Sequence, residues 1–331
     1  MSNQKKKYSF TSLSRLIPPL ALFLILVLFL LHWGDQKQIF AEIKNVRPLV
    51  IFTALSLSLL NYGLRFLRWQ FFLTRLKVAS NVSLSSSFLI FLTGLGMAIT
   101  PMRGGELIKS YFLKDRHGIS FSTTAPLFFI ERLTDAFAML FLMFWGVMSF
   151  RLGWWVFGSA FLVCLAFVTL FQKKQLWPWF FKVLSRLPLV KKYITKADNF
   201  FRSASSLTHP STLLAGSLLA ILAWFAQISG GYFILTQVNP QFAGLAGLFT
   251  ITFIFTFSAA IGFTVPMPGG IGVAEPTTIG LLILLFTLSR DQAITIALLS
   301  RATTLWFGTS IGLLAIFFFL KCKNQSLSSN G

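Results

Sequence analysis

TPMRGGE at residues 100–106 and VPMPGGIGVAE at 265–275 decide how this chain is read. In each, a hydrophobic run breaks at Pro-Met, passes a glycine pair and reaches a lone glutamate, Glu106 or Glu275. An arginine follows each glutamate at a distance of 26 residues, Arg132 in the first case and Arg301 in the second. The likeness therefore covers a whole unit, and the chain reads as an internal duplication. Pro101, Pro266 and Pro268 cannot donate a backbone hydrogen bond, and Gly104, Gly105, Gly269, Gly270 and Gly272 loosen the chain around them. Such a break is costly facing lipid, so it must be buried against protein or water. Interrupted hydrophobic segments at matching places in two halves point to a transport site. For either segment alone, a kinked helix without a ligand explains the residues as well.

Of the 331 residues, 55% are hydrophobic and only 11% charged, which excludes an ordinary soluble protein. The expected fold is all-α, a polytopic transmembrane helical bundle. Apolar runs near 16–33, 48–73, 122–150, 153–172, 211–237 and 292–320 are long enough to span, and 84–116 and 246–288 carry the breaks. The run Ile17–Trp33 follows Lys5, Lys6, Lys7 and Arg15 as a secretory signal would. No small-residue cleavage pattern follows it, so a retained span is expected.

The formal charge of +20 does not imply a nucleic-acid partner, because the basic residues lie between spans. Placing them on the cytoplasmic side puts both termini and the basic loop 173–208 in the cytoplasm of a multi-pass cell-membrane protein. That loop reads as interfacial helix interrupted by Pro188, or equally as a solvated linker. Arg65, Arg68, Arg75 and Lys77, together with Lys109, Lys114 and Arg116, fall on one side if segment 84–116 turns back, which favours a re-entrant hairpin. The expected organisation is a tail 1–15, a repeat 16–150, an inverted repeat 151–320 and a tail 321–331. If both broken segments instead cross fully, the repeats are parallel.

Four of the nine acids, Glu106, Glu131, Asp135 and Glu275, fall at expected membrane depth, where charges are expensive and usually functional. Glu131, Arg132 and Asp135 share one helix face by their spacing. In the second half Arg301 matches Arg132, while Ser300 and Thr304 replace Glu131 and Asp135, so the site is asymmetric. Helices restarting after each break would offer N–H groups to an anion such as phosphate, and Arg103, Arg132 and Arg301 could add bidentate contacts. The carboxylates could pair with these arginines, bind an amine or carry protons; the plainer alternative is a set of ion pairs that only locks helices together. Arg65, Arg68 and Trp69 read as interfacial anchors, with admission of a headgroup as the sharper alternative. His32, His117 and His209 lack metal-ligand spacing, Cys164 and Cys322 imply no disulfide, and no GxxxxGK[ST] motif is present. No cofactor, metal or ATP-driven step is expected.

RFLRW (65–69), TPMRGGELIKSYFL (100–113), ERLTD (131–135), PMPGGIGVAE (266–275) and SRATTLWFG (300–308), in this order, resemble the lysylphosphatidylglycerol synthase transmembrane-region family, also called flippase-like integral membrane proteins. The resemblance covers nearly the whole chain. It implies a protein of the inner or plasma membrane related to the flippase half of aminoacyl-phospholipid synthases. Membrane phospholipids are then the implied partners, with a separate lipid-modifying synthase or glycosyltransferase as a further one. Arg103, Glu106, Glu131, Arg132, Asp135, Glu275 and Arg301 become the headgroup-binding candidates. The synthases carry a soluble aminoacyl-transferase domain after the membrane part and this chain stops soon after Lys323, so aminoacyl transfer is not expected. The expected function is that of a flippase-like transporter moving a phosphate-bearing phospholipid, aminoacylated or not, or a lipid carrier between leaflets; the alternative is a membrane accessory subunit or enzyme in lipid-linked glycosyl or aminoacyl transfer.

Overall fold

A computed structural model describes residues 17–101, 103–147, 153–173 and 194–328. The N-terminal tail, Arg151, most of the basic loop with Pro188, and residues 329–331 lie outside the described residues. Fourteen helices are described: α1 (Ile17–Trp33), α2 (Gln36–Asn45), α3 (Pro48–Arg75), α4 (Leu84–Gly96), α5 (Ile108–His117), α6 (Phe121–Thr124), α7 (Pro126–Val147), α8 (Gly153–Gln172), α9 (Ile194–Leu207), α10 (Pro210–Val238), α11 (Leu245–Thr264), α12 (Ala274–Phe286), α13 (Arg290–Arg301) and α14 (Phe307–Ser328). The fold is all-α, with no named strand among the described residues. Among the described residues, four helical stretches are long and apolar enough to cross a membrane: Pro48–Arg75, Pro210–Val238, Leu245–Thr264 and Arg290–Phe319. Large apolar side chains such as Leu49, Phe52, Leu214, Leu218, Leu222, Phe317 and Phe318 point outward, as suits a surface whose solvent is hydrocarbon.

Both expected breaks are present. Helix α4 stops at Gly96, and the chain resumes as a 3₁₀ turn over Gly104–Leu107 before α5. Arg103 sits in the left-handed region at φ 54°, and Thr100 Oγ1 accepts the Gly105 N–H at 2.7 Å, so the loop satisfies part of its own backbone. The second break runs from Val265 to Val273, with Gly269, Gly270 and Gly272 at φ 61°, 71° and 82°. Only glycine takes three such conformations in so short a stretch without strain. The two breaks meet: Pro101 and Pro268 face each other in a single antiparallel bridge.

Helix α10 is the central element. It packs along α3 and also touches α7, α11 and α13. Asn61 Nδ2 donates to the Ala223 carbonyl at 2.6 Å across the α3–α10 contact, and Gly230 lets Ala54 approach closely. Helices α4 and α14 cross at Gly96 and Gly312, where a Cβ on Gly96 would come within 2.6 Å of the Gly312 carbonyl carbon. Gly308 and Gly312 form a small-xxx-small pair, the pattern that lets membrane helices approach through their backbones.

Two elements go beyond the sequence reading. Residues 36–45, between the expected spans 16–33 and 48–73, form the amphipathic helix α2. Its N-cap Asp35 accepts from the Lys37 N–H at 2.9 Å and donates its own N–H to Asp291 at the start of α13. The expected continuous span 292–320 contains a π-helical turn, Ala302–Trp306, immediately after Arg301. The wider turn alters the i→i−4 ladder, and the Thr304 carbonyl accepts the Tyr62 hydroxyl at 2.6 Å.

Candidate functional site

The two broken segments, α3, α7, α10 and the Arg301 turn enclose a cavity of about 130 Å³. A space of roughly 10–15 Å³ already admits one water, so this cavity admits several, enough for a small hydrated polar group. Six basic side chains, Arg65, Arg68, Arg103, Lys109, Arg132 and Arg301, face it. Four carboxylates balance part of that charge: Glu106, Glu131 and Glu275 on the cavity wall, and Asp135 immediately behind it.

Asp135 on α7 is the hub of the first half. Its Oδ1 accepts from Arg68 Nη1 at 2.8 Å and Trp224 Nε1 at 3.3 Å, while its Oδ2 faces Arg132 at 3.2 Å and Arg65 at 3.6 Å. One carboxylate thus joins α3, α7 and α10. Arg68 also donates to Thr134 Oγ1 at 3.1 Å, and the Arg65 guanidinium lies over the Trp224 ring at 5.4 Å.

Glu106 follows the first break and meets Arg132 at 3.3 Å, Arg103 at 3.7 Å and Lys109 at 4.0 Å. The second break repeats the pairing with fewer charges, Glu275 meeting Arg301 at 2.9 Å. The equal sequence spacing is thus realised as two ion pairs of the same kind. Glu275 Oε2 also accepts the Gly272 N–H at 2.9 Å. The start of α12, read from sequence as free to receive an anion, is therefore partly occupied by the chain's own carboxylate.

Three residues stand elsewhere than the interface reading put them. Arg65, Arg68 and Trp69 are enclosed by protein, Trp69 at 0% exposure and its indole N–H bonded to Ser87 Oγ at 3.1 Å. The two arginines turn inward because Asp135 supplies the counter-charge that an interfacial arginine finds in water or headgroups. Lys109, counted above only as a charge on the cytoplasmic side, is also a cavity residue. Its ammonium bonds Glu131 at 2.6 Å and lies 4.5 Å from the Trp69 ring centroid. Its place three residues after Glu106 was the available signal. Tyr62, Ser258 and Thr309 also line the cavity and were not singled out by sequence, because a hydroxyl in an apolar run looks the same whether it lines a cavity or meets a neighbouring helix.

A family model described as the lysylphosphatidylglycerol synthase TM region matches residues 17–312, which includes both breaks and every charged residue of the cavity. The chain belongs to that family. The UPF0104 membrane protein MJ1078 of Methanocaldococcus jannaschii is 25% identical over 239 residues, covering 69% of this chain and 94% of the archaeal protein. With the apolar helices, the match makes this an integral membrane protein of the lysylphosphatidylglycerol synthase transmembrane-region family.

Proposed function

We propose that this chain is a flippase-like transporter of the cell membrane that moves a phosphate-bearing phospholipid or lipid carrier between leaflets. The observation that carries the reading is the cationic cavity between the two broken segments, where a polar headgroup could sit while its acyl chains stay in the bilayer. Its guanidinium groups suit phosphate oxygens, which take bidentate donors. A site held by two broken segments also suits alternating access, in which similar halves exchange inward-open and outward-open shapes. The repeats are then inverted, 16–150 against 151–320, with both termini in the cytoplasm. The contact between Pro101 and Pro268 would part and reform in each cycle.

The direct test is leaflet-resolved lipid movement in proteoliposomes. Arg132→Ala/Arg301→Ala removes the matching cation from each half, and movement is expected to fall to the protein-free rate although the protein still inserts. Wild-type movement by a well-folded double variant would sink the site. Topology has its own check: single cysteines placed within 238–244 and 173–202 are expected to label from opposite sides of the membrane. Labelling from one side would end the inverted-repeat arrangement.

A further inference from the structure

The charge balance of the cavity narrows the headgroup. Each of its four carboxylates already has a basic side chain within 4.0 Å. Six cations against four acids leave two positive charges uncompensated among the described residues. Spare hydrogen-bonding capacity lies mainly on donors: the two carboxylate oxygens without a hydrogen bond, Asp135 Oδ2 and Glu275 Oε1, each already face a guanidinium, Arg132 at 3.2 Å and Arg301 at 2.9 Å. Arg132 Nε and Nη1, Arg103 Nε and Arg68 Nε are buried without a hydrogen-bond partner among the described residues. So are the hydroxyls of Ser258 and Thr309, each 2% exposed and on the cavity wall. Guanidinium N–H groups can only donate, and hydroxyls can donate to phosphate oxygens. Arg103 is the least tightly held of the cations: its guanidinium is 3.7 Å from Glu106 and lies over the Phe263 ring at 4.9 Å. Arg132 faces the same ring from 5.9 Å, so two guanidinium groups converge there.

Resting on the reading of this cavity as a headgroup site, we infer that its occupant is a terminal phosphate, a phosphomonoester or diphosphate, and not an aminoacylated headgroup. A phosphomonoester carries about −1.5 to −2 charges at pH 7, close to the excess in the cavity. A phosphodiester offers one negative charge and leaves the site under-neutralised. A lysyl ester adds ammonium groups to a cavity that already has surplus positive charge and whose carboxylates are paired. Burying an unpaired charge there is strongly unfavourable.

The test is a binding titration on the full chain in phosphatidylcholine nanodiscs. The probes are dihexanoyl phosphatidate, dihexanoyl phosphatidylglycerol, dihexanoyl lysyl-phosphatidylglycerol and inorganic phosphate. Phosphatidate is expected to bind about tenfold or more tighter than phosphatidylglycerol, with the lysyl lipid weakest, because one further charge contact at a few ångströms is easily worth that factor. Arg103→Gln, which removes one surplus charge from a partly buried turn of the cavity wall, is expected to cut the preference severalfold, and Arg103→Lys to keep it. Inorganic phosphate binding as tightly as phosphatidate supports the charge class while assigning the source to a free anion. Equal or tighter binding of the lysyl lipid, an unchanged preference in Arg103→Gln, or no binding of any probe overturns the inference. Transport is read separately: movement without the phosphomonoester preference defeats this inference alone, and the preference without movement defeats the transport reading alone.

Discussion

Asp135→Ala is expected to be the most destabilising single substitution in the chain. The carboxylate lies within 3.6 Å of Arg65, Arg68 and Arg132 and accepts from the Trp224 indole, and it is 2% exposed. Removing it leaves three buried guanidinium groups facing each other around a void. Breaking a single buried pair in this way costs about 3–5 kcal/mol, and here the carboxylate serves three cations. Since α3, α7 and α10 meet at this point, the loss spreads through the packing that defines the cavity. The expected result is a protein whose thermal midpoint in detergent falls far enough that little monodisperse material remains. Asp135→Asn keeps a hydrogen-bond acceptor for Arg68 and Trp224 but loses the charge, so it should fall between the two. An Asp135→Ala protein as stable as wild type would mean that the cluster does not hold these helices together.

Gly312→Val should be nearly as damaging, for a steric reason. A Cβ on Gly312 would collide with the backbone nitrogen of Gly96 and approach the Leu92 carbonyl oxygen at 2.7 Å. These are backbone atoms and cannot swing aside, so α4 and α14 must separate. Overpacking against movable side chains already costs roughly 1–3 kcal/mol, and this case belongs at or above that range. Helix α4 supplies Phe91 and Gly94 to the cavity, and Gly94 is packed against the Lys109 chain, so the displacement reaches the site directly. Expression and thermal midpoint should both drop, and any protein that survives should move lipid slowly. A Gly312→Val protein with a wild-type midpoint and wild-type lipid movement would show that the close crossing is dispensable.

The two breaks were legible because proline and glycine act locally. Pro101, Gly104, Gly105 and the Pro266–Gly272 stretch disturb the backbone wherever they stand in an apolar run, and the helices end there. The Glu106–Arg132 and Glu275–Arg301 pairs were legible from their recurrence at one spacing, and each pair is made. Lys109 was not, because a lysine near the end of an apolar run looks the same in sequence whether it meets water or Glu131. The π turn after Arg301 carried no readable signal: it adds one residue to a helical turn, and ATTLW contains neither proline nor glycine.

The sequence by itself determined an all-α membrane protein, the position of both helix breaks, and the acids and arginines beside them. Hydrophobicity, imino nitrogens and missing side chains exert their effects within a few residues, so one strand of letters is enough to read them. Only the tertiary structure decided what those groups face. Arg68 finds Asp135 across 67 residues of chain, and Tyr62 finds the Thr304 carbonyl across 242. Pro101 meets Pro268 from the other half. The sign of the cavity follows from such distant pairings: a cation is neutralised or left in surplus by neighbours that packing brings to it. That balance is a property of the assembled helices.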